Sequence, residues 1–413
     1  GKTDVDARIF RVMAENDISV SIISQGSSER GIGLVVSSDK ASKALVGLEK
    51  EFETDFYTKD VNKISVNDNI AVISIIGQDL TNFHKPYTAL IRNKITPILL
   101  NNTVTGRNIS LVISQDEFKR ALNVIHGEIF GVAKKINIAI FGHGTVGGTL
   151  ISQILESAKN IEKRKGIKLN VFAIANSKKV LLNKFGISEN WKATLEDKGQ
   201  DYKVEDIIGY AKEHHLENLI AIDNTASAAF IENYISLAEN SFDLISSNKV
   251  ANTVSYDFYK KLRKVLKDNQ KEYLYETNVG AGLPLIDTIK LLHLSGENIT
   301  KIKGVFSGTL SYLFNNFSVE NKKFSEVLQE AMEKGFTEPD PREDLNGNDV
   351  GRKLLILARE LDLQNEFEEI QIQNLIPEAL REGSASDFLK RLSELDGIYQ
   401  NIKDAQGPNE VLR

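Results

Sequence analysis

The chain has no cysteine, two methionines, one tryptophan and only seven prolines in 413 residues. Without thiols there are no disulfides, no thiolate metal sites and no cysteine nucleophile. No apolar run approaches the ~18–20 residues that span a bilayer, and no charged-then-apolar leader opens the chain, so no membrane partner is expected and a cytoplasmic location is. Positive charge is not in excess either: 51 Lys and Arg stand against 57 Asp and Glu, a net charge of −6. A chain that tracks a phosphate backbone needs clustered basic residues, so nucleic acid is not an expected partner. What remains is ordinary globular text, 41% hydrophobic and 26% charged, which excludes disorder and fibrous architectures. The six histidines form no metal-spaced motif.

The first 130 residues contain a weak repeat. Ile18–Ser37 falls on Ile95–Ser114 without a gap, Arg30 meeting Arg107 and Ile32 meeting Ile109. Each half reads helix, strand, turn, strand, helix. Ile9, Val12 and Met13 share one helical face within 7–16, and Val20–Ile23 and Ile32–Val36 are β-branched strand text. Helical spacing recurs at 42–52, 86–93 and 117–130, and the turns at 25–30 and 101–107 are polar. Two copies of one small α+β unit are expected side by side, at 1–62 and 63–133.

From Lys134 the text changes. Apolar strands are predicted at 136–141, 170–175, 219–222, 242–246 and 272–275, with helical text between. That alternation predicts a doubly wound parallel sheet over 134–278. The first strand runs into Gly142-His143-Gly144-Thr145-Val146-Gly147 and then a helix, the context a dinucleotide fingerprint requires. The first glycine permits the turn, the second lets a pyrophosphate approach, and the third packs helix on strand, while the amides of Gly144, Thr145 and Val146 face the phosphates. The second strand is followed by Asn176-Ser177-Lys178-Lys179 with no carboxylate for a ribose 2′-hydroxyl. Lys178 and its neighbours suit a 2′-phosphate, so NADP(H) is the expected cofactor, with NAD(H) the alternative.

Beyond Val279 a helix (284–295), a strand (301–306) and further helices are predicted, the last at 386–402. The densest polar cluster is FTEPDPREDLNGNDVGRK, residues 336–353. Prolines and glycine argue against regular structure before Asn348, and a helix starting near Asp349 makes Asp349 and Lys353 i,i+4 neighbours. Its five carboxylates either bind an ammonium group and position a lysine, or cap a solvated turn. Lys249, closing Ser246-Ser247-Asn248-Lys249 at a strand end, either reaches a substrate oxygen or faces solvent. Asn278–Pro284, with Glu276 nearby, is either a plain loop or a source of carbonyls for a hard cation.

Taken together, FGHGTVGG, IAIDNTAS, SSNKVANT, YETNVGAGLPLI, GVFSGTLSYLFN and GFTEPDPREDLNGNDVGRKLLILARELD resemble homoserine dehydrogenase, in particular the C-terminal part of bifunctional aspartokinase–homoserine dehydrogenases. The 1–133 repeat is similar to their paired ACT regulatory domains. The resemblance implies a Rossmann-type sheet preceded by two ACT-like units and followed by an α+β substrate and dimerisation domain (279–413). It implies NAD(P)H-dependent reduction of L-aspartate 4-semialdehyde to L-homoserine in threonine and methionine biosynthesis, with a threonine-class effector and a homodimer or homotetramer. Lys353 takes the place of the proton donor, assisted by Asp349. Glu338 and Asp349 take the places of the substrate carboxylates, Asp344 supports them, and Lys249 stands near substrate and cofactor. Cofactor contacts fall on the glycine loop, Thr225 and Gly335. A monovalent cation such as Na+ falls on Glu276 and the carbonyls of Val279, Ala281 and Leu283. Effector contacts fall on Gln25, Ser27 and Ser28, and the second copy has Asn102–Gly106 in place of that loop.

The absence of cysteine agrees with this chemistry, because alcohol–aldehyde interconversion needs no thiol. No kinase text precedes Gly1, and the family's terminal segment is expected to continue beyond Arg413, where the text reads as the opening of a strand. The alternative is a catalytically inert regulatory fragment that binds an amino-acid effector.

Overall fold

A computed structural model describes residues 4–25, 31–77, 83–103, 108–130, 133–407 and 410–412. Twelve strands occur among them: β1 Val20–Gln25, β2 Ile32–Val36, β3 Ile70–Ile76, β4 Leu99–Asn102, β5 Asn108–Ser114, β6 Lys134–Phe141, β7 Ile167–Ala175, β8 Lys179–Leu182, β9 Gln200–Asp201, β10 Leu219–Asp223, β11 Phe242–Ser246 and β12 Tyr273–Leu274. The chain separates into two compact units. One is 1–139 with 150–174 and 178–220, and the other is 140–149 with 175–177 and 221–413.

In the first unit the repeat is structural. The helices Val5–Glu15 and His84–Arg92 precede the antiparallel pairs β1–β2 and β4–β5, and the helices Ser38–Glu51 and Phe118–Phe130 follow them. Apolar residues at i, i+3 and i+4 close each copy: Ile9, Val12 and Met13 pack with Leu48 and Phe52, while Leu90, Leu111, Ile113 and Val124 fill the second core. Each such fully buried side chain contributes about 1.5–3 kcal/mol. The copies differ by one strand, because β3 pairs antiparallel along the whole of β5. Ile22 and Val35 of the first sheet pack on Val112 of the second. The second copy is also tied to the turn before β10. Asn218 donates its amide to Asn93 Oδ1 (2.8 Å), and its side chain donates to the Lys135 carbonyl (2.9 Å).

The large sheet has the order β12-β11-β10-β6-β7-β8-β9. β11 and β12 are parallel, and β8 and β9 form an antiparallel edge. Sequence order reverses between β6 and β10, the crevice where open α/β sheets bind ligands. The edge strands β8 and β9 are too short to show a period in the sequence, and Lys179 opens β8.

In the second unit four expectations are corrected. Residues 301–306 alternate like a strand, yet they pair with no described strand, and the Phe306 carbonyl turns to a lysine instead. The stretch before Asn348 holds one helical turn, Arg342–Leu345, because Pro341 stands at its start, where a missing N–H costs nothing. The expected helix at 386–402 is three pieces, Ala385–Lys390, a 3-10 turn Leu392–Leu395 and Asp396–Asp404. Phe388, Leu392, Leu395 and Tyr399 all enter one core, but Asp396 is drawn to Ser325, accepting from its amide (2.8 Å) and hydroxyl (2.9 Å). Residues 410–412 are not strand, and the Leu412 amide donates to Ser318 Oγ (2.8 Å).

Candidate active site and cofactor loop

Asp349 and Lys353 owe their position to two glycines. Gly347 takes φ +79° before the helix Asn348–Glu360, where a side chain would also meet Ile372 at 2.8 Å. A Cβ on Gly351 would stand 2.6 Å from the same Ile372, so the first turn lies flush against that residue. Asn346 Oδ1 accepts the Asn348 amide (2.8 Å) and caps the turn. At the other end Arg359, fully buried, donates to the carbonyls of Asn252 (2.9 Å) and Val254 (2.8 Å). The short helix Val250–Thr253 is thereby tied to the long one, and Lys249 immediately precedes it.

The result is a triad of charges. One Asp349 oxygen lies 2.7 Å from Lys353 Nζ and the other 3.3 Å from Lys249 Nζ. Lys353 also donates to the Phe306 carbonyl (2.6 Å). Partial burial opposes ionisation of Asp349, but the Lys353 hydrogen bond and the two ammonium charges hold its carboxyl below the ordinary range. The side chains are 44% (Asp349), 32% (Lys249) and 17% (Lys353) exposed, so a solute can reach them.

The other carboxylates of the cluster separate by role. Asp340 is bound by Arg342 (2.6 Å), and Asp344 accepts the Glu338 amide (2.8 Å), fixing the loop that presents Glu338. The Glu338 side chain is exposed, with no hydrogen bond or ion pair among the described residues. Gly335 has φ +70° and open space around it. Glu276 does something the sequence did not reveal: its oxygens accept the amides of Ile286 (2.8 Å) and Asp287 (3.0 Å), capping the helix Leu285–Leu294. The Leu283 carbonyl accepts from Leu285 (2.8 Å). Each of these oxygens keeps a further lone pair, so Glu276 and Leu283 can accept these amides and still offer an oxygen to a cation. No group of three or more His, Cys, Asp or Glu that could hold a metal occurs among the described residues.

The glycine loop fits a dinucleotide. Gly142 has φ +82°, and a Cβ there would stand 2.9 Å from the Asn224 carbonyl, so the turn after β6 presses on the turn after β10. A Cβ on Gly147 would fall 2.0 Å from the Gly142 oxygen, whereas Gly144 has nothing within 4 Å, leaving room where a pyrophosphate sits. Thr145 and Val146 are exposed at the start of the helix Thr145–Lys165. Asn224 Nδ2 is buried with no hydrogen-bond partner among the described residues, a donor beside Thr225 that a bound group can satisfy. Lys178 lies in the first unit, and Lys179 donates to the Glu196 carbonyl (3.0 Å). Gln25 closes β1 and is exposed, while Ser27 and Ser28 lie outside the described residues, as does 104–106 of the second copy. Arg359, Asn248 and the Phe306 carbonyl escaped the sequence reading, because contacts set by tertiary folding leave no local spacing.

A family model described as homoserine dehydrogenase matches residues 284–413, and a model of the homoserine dehydrogenase NAD-binding domain matches 142–276. The chain belongs to the homoserine dehydrogenase family. The NAD-binding match makes a nicotinamide dinucleotide its cofactor class. An ACT domain model matches 1–52, the first of the two repeated units. Among relatives, a bifunctional aspartokinase/homoserine dehydrogenase of Buchnera aphidicola is 37% identical over 99% of this chain and 51% of that protein. One from Haemophilus influenzae is 34% identical over 100% of this chain and 51% of that protein. A solved structure of a Candida auris protein of unknown function is similar at 30% identity and TM-score 0.59, covering 66% of this chain and 76% of the other. The chain thus spans about half the length of the curated relatives it matches. No helix among the described residues is long and apolar enough to cross a membrane.

Proposed function

We propose that the chain is the homoserine dehydrogenase half of a bifunctional aspartokinase–homoserine dehydrogenase, reducing L-aspartate 4-semialdehyde to L-homoserine. The carrying observation is Asp349 clamped between Lys249 and Lys353 in a chain that also holds a sterically strict glycine loop. A bound nicotinamide cofactor supplies hydride to the aldehyde carbon. An ammonium has three N–H donors. Lys353 gives one to Asp349 and one to Phe306, and the third is the proton for the developing alkoxide. Asp349 aims that ammonium through the 2.7 Å ion pair. Glu338, presented by Asp344, holds the substrate's own ammonium group. The glycine loop, Thr225 and Gly335 bind the cofactor, and Lys178 favours NADP(H) over NAD(H). The segments 1–62, 63–133, 134–278 and 279–413 serve as the domains, and a threonine-class amino acid binds the first ACT-like unit at Gln25–Ser28 and regulates turnover.

The test is oxidation of NADPH by this chain with aspartate semialdehyde. Turnover suppressed by threonine supports the whole reading. Amino-acid binding without turnover returns the chain to a regulatory fragment.

A further inference from the structure

One buried carboxylate has no part in the chemistry just described. Asp223 ends β10 and is 2% exposed, and no cation pairs with it among the described residues. Burial pushes its carboxyl upward against hydrogen bonds from Tyr234, Thr225 and Asn248. Thr225 donates its amide to one oxygen (2.7 Å); the Tyr234 hydroxyl (2.7 Å) and Asn248 Nδ2 (3.1 Å) donate to the other. The Thr225 amide and Asn248 Nδ2 can only donate, one to each oxygen, so only a double acceptor satisfies both. Around this centre Ser246 Oγ accepts the Asn248 amide (2.9 Å), Asn248 Oδ1 accepts the Val250 amide (3.1 Å), and the Ser247 amide donates to the Asp223 carbonyl (3.0 Å). A buried charge without a counter-ion is a poor source of stability. What this one does is join the turn after β10, which carries Thr225, to the turn after β11, which carries Lys249.

We propose that Asp223 is a positioning residue: through Asn248 and Thr225 it fixes both turns and so sets where Lys249 stands against Asp349. The inference rests on the dehydrogenase reading for its kinetic consequence but not for its structural one. Asp223→Asn keeps shape and turns one acceptor into a donor facing donors. In the full chain, amide exchange over 246–251 should then rise about tenfold, the usual scale of a coupled pair, and unchanged exchange overturns the proposal. In kinetics, D223N should lower kcat/KM about tenfold in the parent chain and less than about twofold beside K249A, because the loss runs through Lys249. An equal loss in both backgrounds overturns it, since a merely structural defect adds. If D223N does not fold, Asn248→Ala cuts the same link from the loop side and must show the same coupling with K249A; additivity there overturns the proposal as well. A parent chain inert toward the semialdehyde defeats the dehydrogenase reading, while exchange at 246–251 still decides for or against Asp223.

Discussion

Replacing Lys353 with alanine separates what the residue does for turnover from what it does for stability. The change deletes a 2.7 Å ion pair and a 2.6 Å hydrogen bond to Phe306, leaving Asp349 with Lys249 at 3.3 Å. Asp349 is 44% exposed, so water screens the pair. An i,i+4 pair of that kind contributes about 0.3–0.5 kcal/mol, and the loss of the charge-assisted hydrogen bond to the Phe306 carbonyl adds about 1.5 kcal/mol, the lower end for a charged donor because solvent reaches the site. At roughly 2–4 °C per kcal/mol the melting temperature should fall by several degrees. Turnover should fall roughly 10²–10⁴-fold, the range for removing a general acid, equivalent to about 2.7–5.5 kcal/mol in the barrier. Lys353→Arg should not rescue it, because a guanidinium does not release a proton near neutral pH. The assay is NADPH absorbance with aspartate semialdehyde, alongside calorimetric melting and NADPH titration by fluorescence, which should be little changed because none of the glycine-loop contacts involves Lys353. Near-normal turnover in Lys353→Ala would refute the assignment and make Lys249 the next candidate. A large loss of both turnover and melting temperature would make Lys353 a structural residue.

Four further outcomes are expected. Changing Lys178 and Lys179 to Ala should weaken NADPH by about one to two decades with little change for NADH; equal losses for both cofactors would remove the argument. Because the Asp349 carboxyl is held below 3.8, its share of stability is fully present above that pH and is lost as pH falls through the lower folded-state value. Carboxyl NMR should show it rising towards the ordinary range in Lys353→Met, and no movement would mean the two do not interact. Glu276→Ala should cost about 1 kcal/mol through loss of the cap; an equal loss in sodium and in choline buffers makes the residue a cap alone, and a sodium-dependent difference in melting gives it the cation role as well. Calorimetry should find one threonine-class ligand per chain, and two equivalent sites would contradict the asymmetry between the loops at 25–30 and 101–107.

Local chemistry made much of this protein legible before folding. The displacement of Ile18 onto Ile95 placed both repeated units, since each is built from strands and helices whose period is written into neighbouring residues. The glycine fingerprint was legible for the same reason: the steric demands on Gly142 and Gly147 arise within a few residues of a strand end. The i,i+4 spacing put Asp349 beside Lys353. Tertiary structure alone decided the rest. It brought Lys249 to the second oxygen of Asp349 across a hundred positions, by way of Arg359 holding the carbonyls of Asn252 and Val254. It spent Glu276 on a helix end, left 301–306 without a strand partner, and broke the predicted helix after Lys390 to seat Asp396 on Ser325. Periodicity reports which face of a segment is buried. Which distant donor completes a carboxylate, and whether an extended segment finds an edge, depends on contacts that no local pattern encodes.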